Sequence, residues 1–242
     1  MKKYAIYLMI LLWLTLPSIA AADDSKWQDE AELSYVSTGG NTEVTSLSGK
    51  NKLTYRFTDK LKGVWDVSAL YGETEGEKTA ERYATEVRFD YDFNAKIYLA
   101  GIGGWLQDEF AGIDRRLYLG PAVGYKILTG PKHVLSAEGG VDYVTEEYTN
   151  DEDAEYMRGR AFGSYEFLLT EKSKFTQTLE LLYDFEDSDN YNVNSVSALI
   201  TSLSDTFSIK TSYEIHYDNE PVPDDLEETD TILSVALIVN FK

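Results

Sequence analysis

The feature that most constrains this chain is a strict two-residue alternation sustained over unusually long segments. From Phe207 to Asp218, one face reads Phe207, Ile209, Thr211, Tyr213, Ile215 and Tyr217. The other reads Ser208, Lys210, Ser212, Glu214, His216 and Asp218. The stretch from Arg82 to Phe93 repeats the pattern, with Tyr83, Thr85, Val87, Phe89, Tyr91 and Phe93 set against Arg82, Ala84, Glu86, Arg88, Asp90 and Asp92. A period of two belongs to an extended strand with one apolar and one polar face, and a helix would mix the two sets. Strands are predicted near 29–38, 43–57, 61–72, 81–93, 97–108, 114–128, 133–147, 156–169, 174–186, 191–203, 207–218 and 229–241.

A soluble sandwich also alternates, so the choice between sandwich and membrane barrel rests on other features. Most of these strands reach the ~9–11 residues that cross a bilayer at a tilt, whereas soluble strands average ~5–6. Aromatic residues gather near strand ends on the apolar face, at Tyr55/Phe57, Tyr91/Phe93, Tyr183/Phe185 and Tyr217, as interfacial girdles require. Connections alternate between tight turns (58–60, 94–96, 129–132, 170–173, 204–206) and mostly longer, acidic loops (38–42, 73–80, 109–113, 148–155, 187–190, 219–228). That is the outer-membrane arrangement of short periplasmic turns and longer external loops. The prediction is a single all-β, up-and-down antiparallel transmembrane barrel of twelve strands, with both termini periplasmic.

The N-terminus fits an export route. Lys2 and Lys3 precede an apolar run from Tyr4 to Leu16, closed by Pro17 and followed by Ala20-Ala21-Ala22. The run is too short for the ~20 residues of a spanning helix, so residues 1–22 read as a signal peptide cleaved before Asp23, and residues 23–242 as the barrel. The leader carries two lysines and no acids, so its removal moves the formal charge from −20 to −22 and makes nucleic acid an unsuitable partner. Absence of cysteine excludes a disulfide framework, a thiol nucleophile and a lipid anchor at the cleavage site.

Near the C-terminus, Leu233, Val235, Leu237, Val239 and Phe241 form an alternating face that resembles the assembly signal of outer-membrane proteins, although Lys242 extends past the aromatic residue. Such a signal would engage the barrel-assembly machinery during biogenesis. Over the mature chain the sequence resembles a bacterial family of salt-induced outer-membrane proteins, catalogued as a domain of unknown function. Three segments carry the resemblance: residues 37–42 (Ser-Thr-Gly-Gly-Asn-Thr); Asp108 through Arg116, leading to Gly120 and Gly124-Tyr125; and Tyr213 through Phe241, with Tyr217-Asp218-Asn219-Glu220-Pro221. The resemblance implies an outer-membrane barrel and a link to salt or osmotic conditions, and it implies no reaction.

With aromatic faces toward lipid, the opposite faces line the lumen. The candidate lumen charges are Arg116 and Lys126 on the sixth strand, Glu138, Asp142 and Glu146 on the seventh, and Arg158 and Arg160 on the eighth. Glu180 and Asp184 follow on the ninth, and Glu214 and His216 on the eleventh. Alternating sign on neighbouring strands predicts cross-strand pairing, and two outcomes follow. Either ion pairs lace the lumen shut around little free space, or charged ladders line a narrow pore for ions or small solutes. Acidic clusters at Glu73/Glu75/Glu77, Asp151/Glu152/Asp153/Glu155 and Glu220/Asp224/Asp225/Glu227/Glu228 would focus negative potential outside. Such clusters would draw cations, or divalent ions bridging anionic lipid headgroups, or would simply stay solvated.

No cofactor is expected. No segment has the spacing of a calcium loop, and Gly101, Gly103, Gly104, Gly120, Gly124, Gly139 and Gly140 mark bends or close backbone approach, with no helix following to cradle phosphate. A hydrolase would rest on His216, beside Glu214 and Asp218 and facing Thr229-Asp230. Ser212 lies roughly 13 Å away at ~3.3 Å per residue, too far for a catalytic pair. His133, after a tight turn, reads as an interfacial residue at the periplasmic rim. A passive pore or an envelope component under salt stress is the leading expectation, with a closed structural barrel or a hydrolase as alternatives.

Overall fold

In the computed structural model, residues 26–38, 44–222 and 226–241 are described. The leader and its cleavage site, the Gly39–Thr42 part of the first loop, Asp224, Asp225 and Lys242 lie outside them. The described residues form twelve strands: β1 (Trp27–Thr38), β2 (Val44–Arg56), β3 (Leu61–Thr74), β4 (Glu77–Asp92), β5 (Ile97–Asp108) and β6 (Ile113–Thr129). They continue as β7 (His133–Tyr148), β8 (Asp153–Leu168), β9 (Ser173–Asp184), β10 (Tyr191–Ser202), β11 (Phe207–Asp218) and β12 (Thr229–Phe241). Each strand pairs antiparallel with its sequence neighbours, and β1 meets β12, which closes the sheet as an up-and-down barrel. Closure leaves the sheet without a free edge strand, although the β1–β12 ladder is shorter than the others.

The alternation becomes inside and outside. On β11, Phe207, Ile209 and Tyr213 are exposed while Ser208, Ser212 and Glu214 are buried. On β12, Leu233, Val235, Leu237 and Phe241 are exposed while Ala236 and Ile238 are buried. Large apolar side chains thus coat the outside, and charge fills the centre. The predicted girdle pairs fall at the two rims of the outer face: Phe57, Tyr91 and Phe93 are exposed at one, Tyr183 and Phe185 at the other. At the first rim His133 stacks on Phe167, ring centroids 4.6 Å apart, and shares a 2.8 Å hydrogen bond with Tyr165 Oη.

Side chains build the tight turns. Thr58 Oγ1 accepts from the backbone N–H groups of Lys60 and Leu61, and Asn94 Oδ1 from those of Lys96 and Ile97. Thr170 and Ser204 do the same in their turns. Four of the five predicted tight turns therefore open with a residue whose oxygen replaces a missing ladder partner.

Two external loops are shorter than the sequence suggests. The predicted loop 73–80 is a continuation of β3 and β4 joined at Glu75-Gly76, with φ of 52° and 81°. Both centres in the left-handed region define the two-residue hairpin that matches strand twist. The polar composition of 73–80 hid the strand, because beyond the membrane neither face needs to be apolar. Likewise β7 and β8 extend to Tyr148 and from Asp153, which shortens the predicted 148–155 loop. The 109–113 loop contains a 3-10 turn, Glu109–Ala111, whose N-cap is Asp108.

Candidate functional site

Lumen positions of β4 to β9 carry a connected ionic network. Glu138 on β7 is its hub: Arg88 on β4 donates to its two oxygens at 2.7 and 3.0 Å, Tyr98 Oη donates at 2.7 Å, and Arg160 on β8 donates at 3.3 Å. Arg88 also donates to Asp90 at 2.7 Å, and Arg160 to Glu180 at 2.6 Å. Further along the lumen, Arg158 pairs with Asp142 at 3.2 Å, and Arg116 pairs with Glu146, which also accepts from Tyr148. Lys126 reaches Asp92 at 2.6 Å. Charges this buried survive in ionised form only when paired and hydrogen-bonded, and here they are.

Glycine on β5 and β6 makes the network possible. A Cβ at Gly124 would lie 2.0 Å from the Tyr98 ring, and one at Gly104 would lie 2.3 Å from the Tyr118 ring. The bare backbone lets Tyr98 lie flat toward Glu138, and lets Tyr118 donate to Glu86 at 2.7 Å while the Arg158 guanidinium sits 5.0 Å over its ring. Of the seven strand glycines singled out in the sequence, Gly104 and Gly124 thus seat tyrosines, Gly103, Gly120 and Gly140 lie close to neighbouring strands, and Gly101 and Gly139 face open space. Beneath Tyr118, Ala100, Ile102 and Ala122 form a small apolar cluster inside the barrel.

Every predicted lumen charge lies on the inner side, but they do not form one group. Glu138, Arg160 and Glu180 meet, as do Asp142 with Arg158 and Arg116 with Glu146. Asp184, opposite Arg158 in the register, instead accepts from Asn190 at 3.1 Å. Glu214 binds Lys50 at 2.5 Å, and His216 Nδ1 shares a 2.8 Å hydrogen bond with Asn194 Oδ1. Ser212 Oγ pairs with Ser234 Oγ at 2.8 Å, away from the imidazole. Glu86, Arg88, Asp90 and Lys210 stood on predicted polar faces without being counted among the lumen charges, and Lys50 and Glu32 were passed over. All six lie on polar faces of alternating strands, which was the available signal.

The ion pairs do not fill the whole lumen. The lace fills the β4–β9 side, and beside it lies a cavity of about 670 Å³. Pro221, Glu227, Glu228 and Asp230 line its outer end, Arg158, Arg160, Glu180 and Lys210 its middle, and Glu30 and Lys52 its inner end. A second cavity of about 200 Å³ opens at the rim where β1 begins and β12 ends, among Gln28, Thr54 and Asn240, and it shares Glu30 and Lys52 with the first. The outer mouth is narrowed where the β11–β12 loop leans on the 3-10 turn: Gly112, at φ 73°, lies so close that a Cβ would stand 1.8 Å from the Val222 carbonyl oxygen.

At the rim opposite the tight turns, the β3–β4 hairpin is braced by charge. Lys78 bonds Glu109 at 2.7 Å and also Glu81. These bonds, to Glu109 first, hold the Lys78 ammonium above the usual lysine range, and the bond from Lys78 holds Glu81 below the usual carboxylate range. Part of the acidic hairpin is thus neutralised locally.

A closed twelve-stranded antiparallel wall, apolar outside and charged within, defines a barrel of the outer-membrane type. Solved structures agree at the level of fold. The barrel superimposes on an outer membrane channel from Pseudomonas putida F1 with a TM-score of 0.57, covering 93% of this chain and 98% of that one at 11% identity. It also superimposes on the translocator domain of autotransporter NalP from Neisseria meningitidis, with a TM-score of 0.55, 99% and 96% coverage and 12% identity. Residues 31–241 match the family described as "Protein of unknown function, DUF481", and the chain belongs to that family. It is 28% identical to the uncharacterized protein YdiY of Escherichia coli strain K12 over 231 residues, 90% of each chain.

Proposed function

We propose that this protein is a passive outer-membrane pore for small ions, with a mouth biased toward cations. The observation that carries the reading is the cavity of about 670 Å³ beside the ionic lace, which offers ions a path into the lumen; it shares Glu30 and Lys52 in its lining with the second cavity. Asp108, Asp218, Glu227, Glu228 and Asp230 surround the outer end of that path and outnumber the Arg82 and His216 that accompany them there. A low-dielectric wall around a one-sign mouth focuses potential and concentrates counter-ions. Farther in, paired signs leave little net field, so selectivity belongs to the mouth. The family resemblance adds a role under salt stress, which a pore or a purely structural barrel would each fit.

The proposal includes export by the N-terminal leader, insertion by the barrel-assembly machinery, and outer-membrane lipid as the solvent of the aromatic-rimmed face. The test is conductance of the refolded protein in a planar bilayer with unequal salt on the two sides. Discrete steps with a cation-directed reversal potential are expected. A barrel that inserts yet stays silent overturns the pore and leaves the structural reading, which the buried Arg88–Glu138–Arg160 network favours.

A further inference from the structure

The wall is not uniformly paired. β1 is laddered to β2 along its whole length, from Trp27–Tyr55 to Thr38–Val44, and β12 to β11 from Phe207–Val239 to Tyr217–Thr229. The β1–β12 ladder runs only from Asp29–Phe241 to Leu33–Leu237. Both strands continue outward from that point, but they are not paired with each other. The next opposed positions, Ser34 and Ala236, are buried on the inner side of the wall.

Two ion pairs strap this seam from inside. Lys210 on β11 reaches over β12 to Glu32 on β1, at 2.8 and 3.0 Å. Lys50 on β2 reaches over both β1 and β12 to Glu214 on β11, at 2.5 Å. Glu32 stands opposite Ile238, one position short of the ladder's end, and Glu214 lies opposite Ile232, beyond it. All four charged residues line the cavity, together with Ile232 and Ser234 of the unpaired stretch.

Unpaired backbone is tolerated at membrane depth only where it borders protein or water. Here it borders a polar cavity on one side and, past Leu233 and Val235 at 72% and 59% exposure, the lipid face on the other. A slit between water and hydrocarbon suits a molecule that is both, with a polar head in the lumen and a chain in the bilayer. We propose that the outer half of the β1–β12 seam is a latched lateral portal for a membrane amphiphile, released when the Lys50–Glu214 and Lys210–Glu32 straps part. The proposal rests on insertion in a membrane, and it does not require ion conduction.

Because the chain has no cysteine, single labels can read the portal directly. The full barrel would carry a fluorophore at Ile232→Cys on the slit, Val196→Cys on the lumen face of β10, or Leu233→Cys on the lipid face. The quencher would be phosphatidylcholine bearing a doxyl group on its acyl chain. Quenching is expected at Leu233, absent at Val196 and intermediate at Ile232, rising toward the Leu233 value when Lys50→Met and Lys210→Met remove the straps. Arginine at both positions should restore the native value. A disulfide between Ser34→Cys and Ala236→Cys should trap the seam and abolish strap-dependent phospholipid uptake from labelled vesicles, while one between Leu33→Cys and Leu237→Cys should not. If Ile232 matches Val196 with and without straps while Leu233 is quenched, the portal is wrong. An unquenched Leu233 overturns the portal and the membrane reading together.

Discussion

Glu138 holds four donors from three strands, so its carboxylate is where a single atom change has the largest structural effect. Glu138→Gln keeps the shape but leaves Arg88 and Arg160 facing each other without their shared counter-charge. Breaking a buried pair from one side costs about 3–5 kcal/mol, whereas replacing both partners by apolar groups of similar size is often close to neutral. Urea unfolding in lipid vesicles should therefore show a large loss for Glu138→Gln and a smaller one for Glu138→Leu combined with Arg88→Met. Equal or additive losses would mean the hub is not a coupled unit. The sequence showed Glu138 and Arg160 as inward charges, because parity alone places a side chain on a face. It did not show Arg88 as their partner. That contact joins β4 to β7 over two intervening strands, and its level depends on the stagger of the closed barrel, which no local pattern encodes.

Individual strands were the most readable part of the chain, since each long segment must separate lipid from water by itself. The same logic gives a sharp contrast on β9, where Leu179 is exposed on the outer face and Thr178 lines the cavity. An arginine on the lipid face near the midplane costs about 2–4 kcal/mol, while lumen positions accept charge and alter selectivity instead. Leu179→Arg should lower the urea midpoint of the inserted barrel, and Thr178→Arg should leave it nearly unchanged. A reversal of that order would invert the assigned faces. Parity stops informing where the strand leaves the bilayer, which is why residues 73–80 read as a loop. Glu77, Lys78 and Glu81 alternate with small and polar residues, and only the left-handed pair at Glu75-Gly76 marks the hairpin. The β1–β12 seam was equally silent: both strands have full-length alternation, and nothing in either says that their shared ladder ends at Leu33.

At the scale of the whole molecule, a net charge of −20 does not by itself make a cation pore, because most charge within the lumen is paired. Selectivity should depend on the few acids that crowd the outer mouth. Glu227→Gln, Glu228→Gln and Asp230→Asn together remove three charges that line the cavity entrance without touching the Glu138 network. Exposed charges act over a Debye length of ~10 Å at 0.1 M salt and only ~3 Å at 1 M. The triple variant should therefore shift the reversal potential toward zero in dilute salt and match the native protein in concentrated salt. Its stability should be unchanged, since solvated rim charges contribute little to folding. A native-like reversal potential at low salt would instead place the selectivity deeper, at Glu30 and Lys52, which line both cavities. Charge changes there, read in the same gradient, would then have to move the potential where those at the mouth do not.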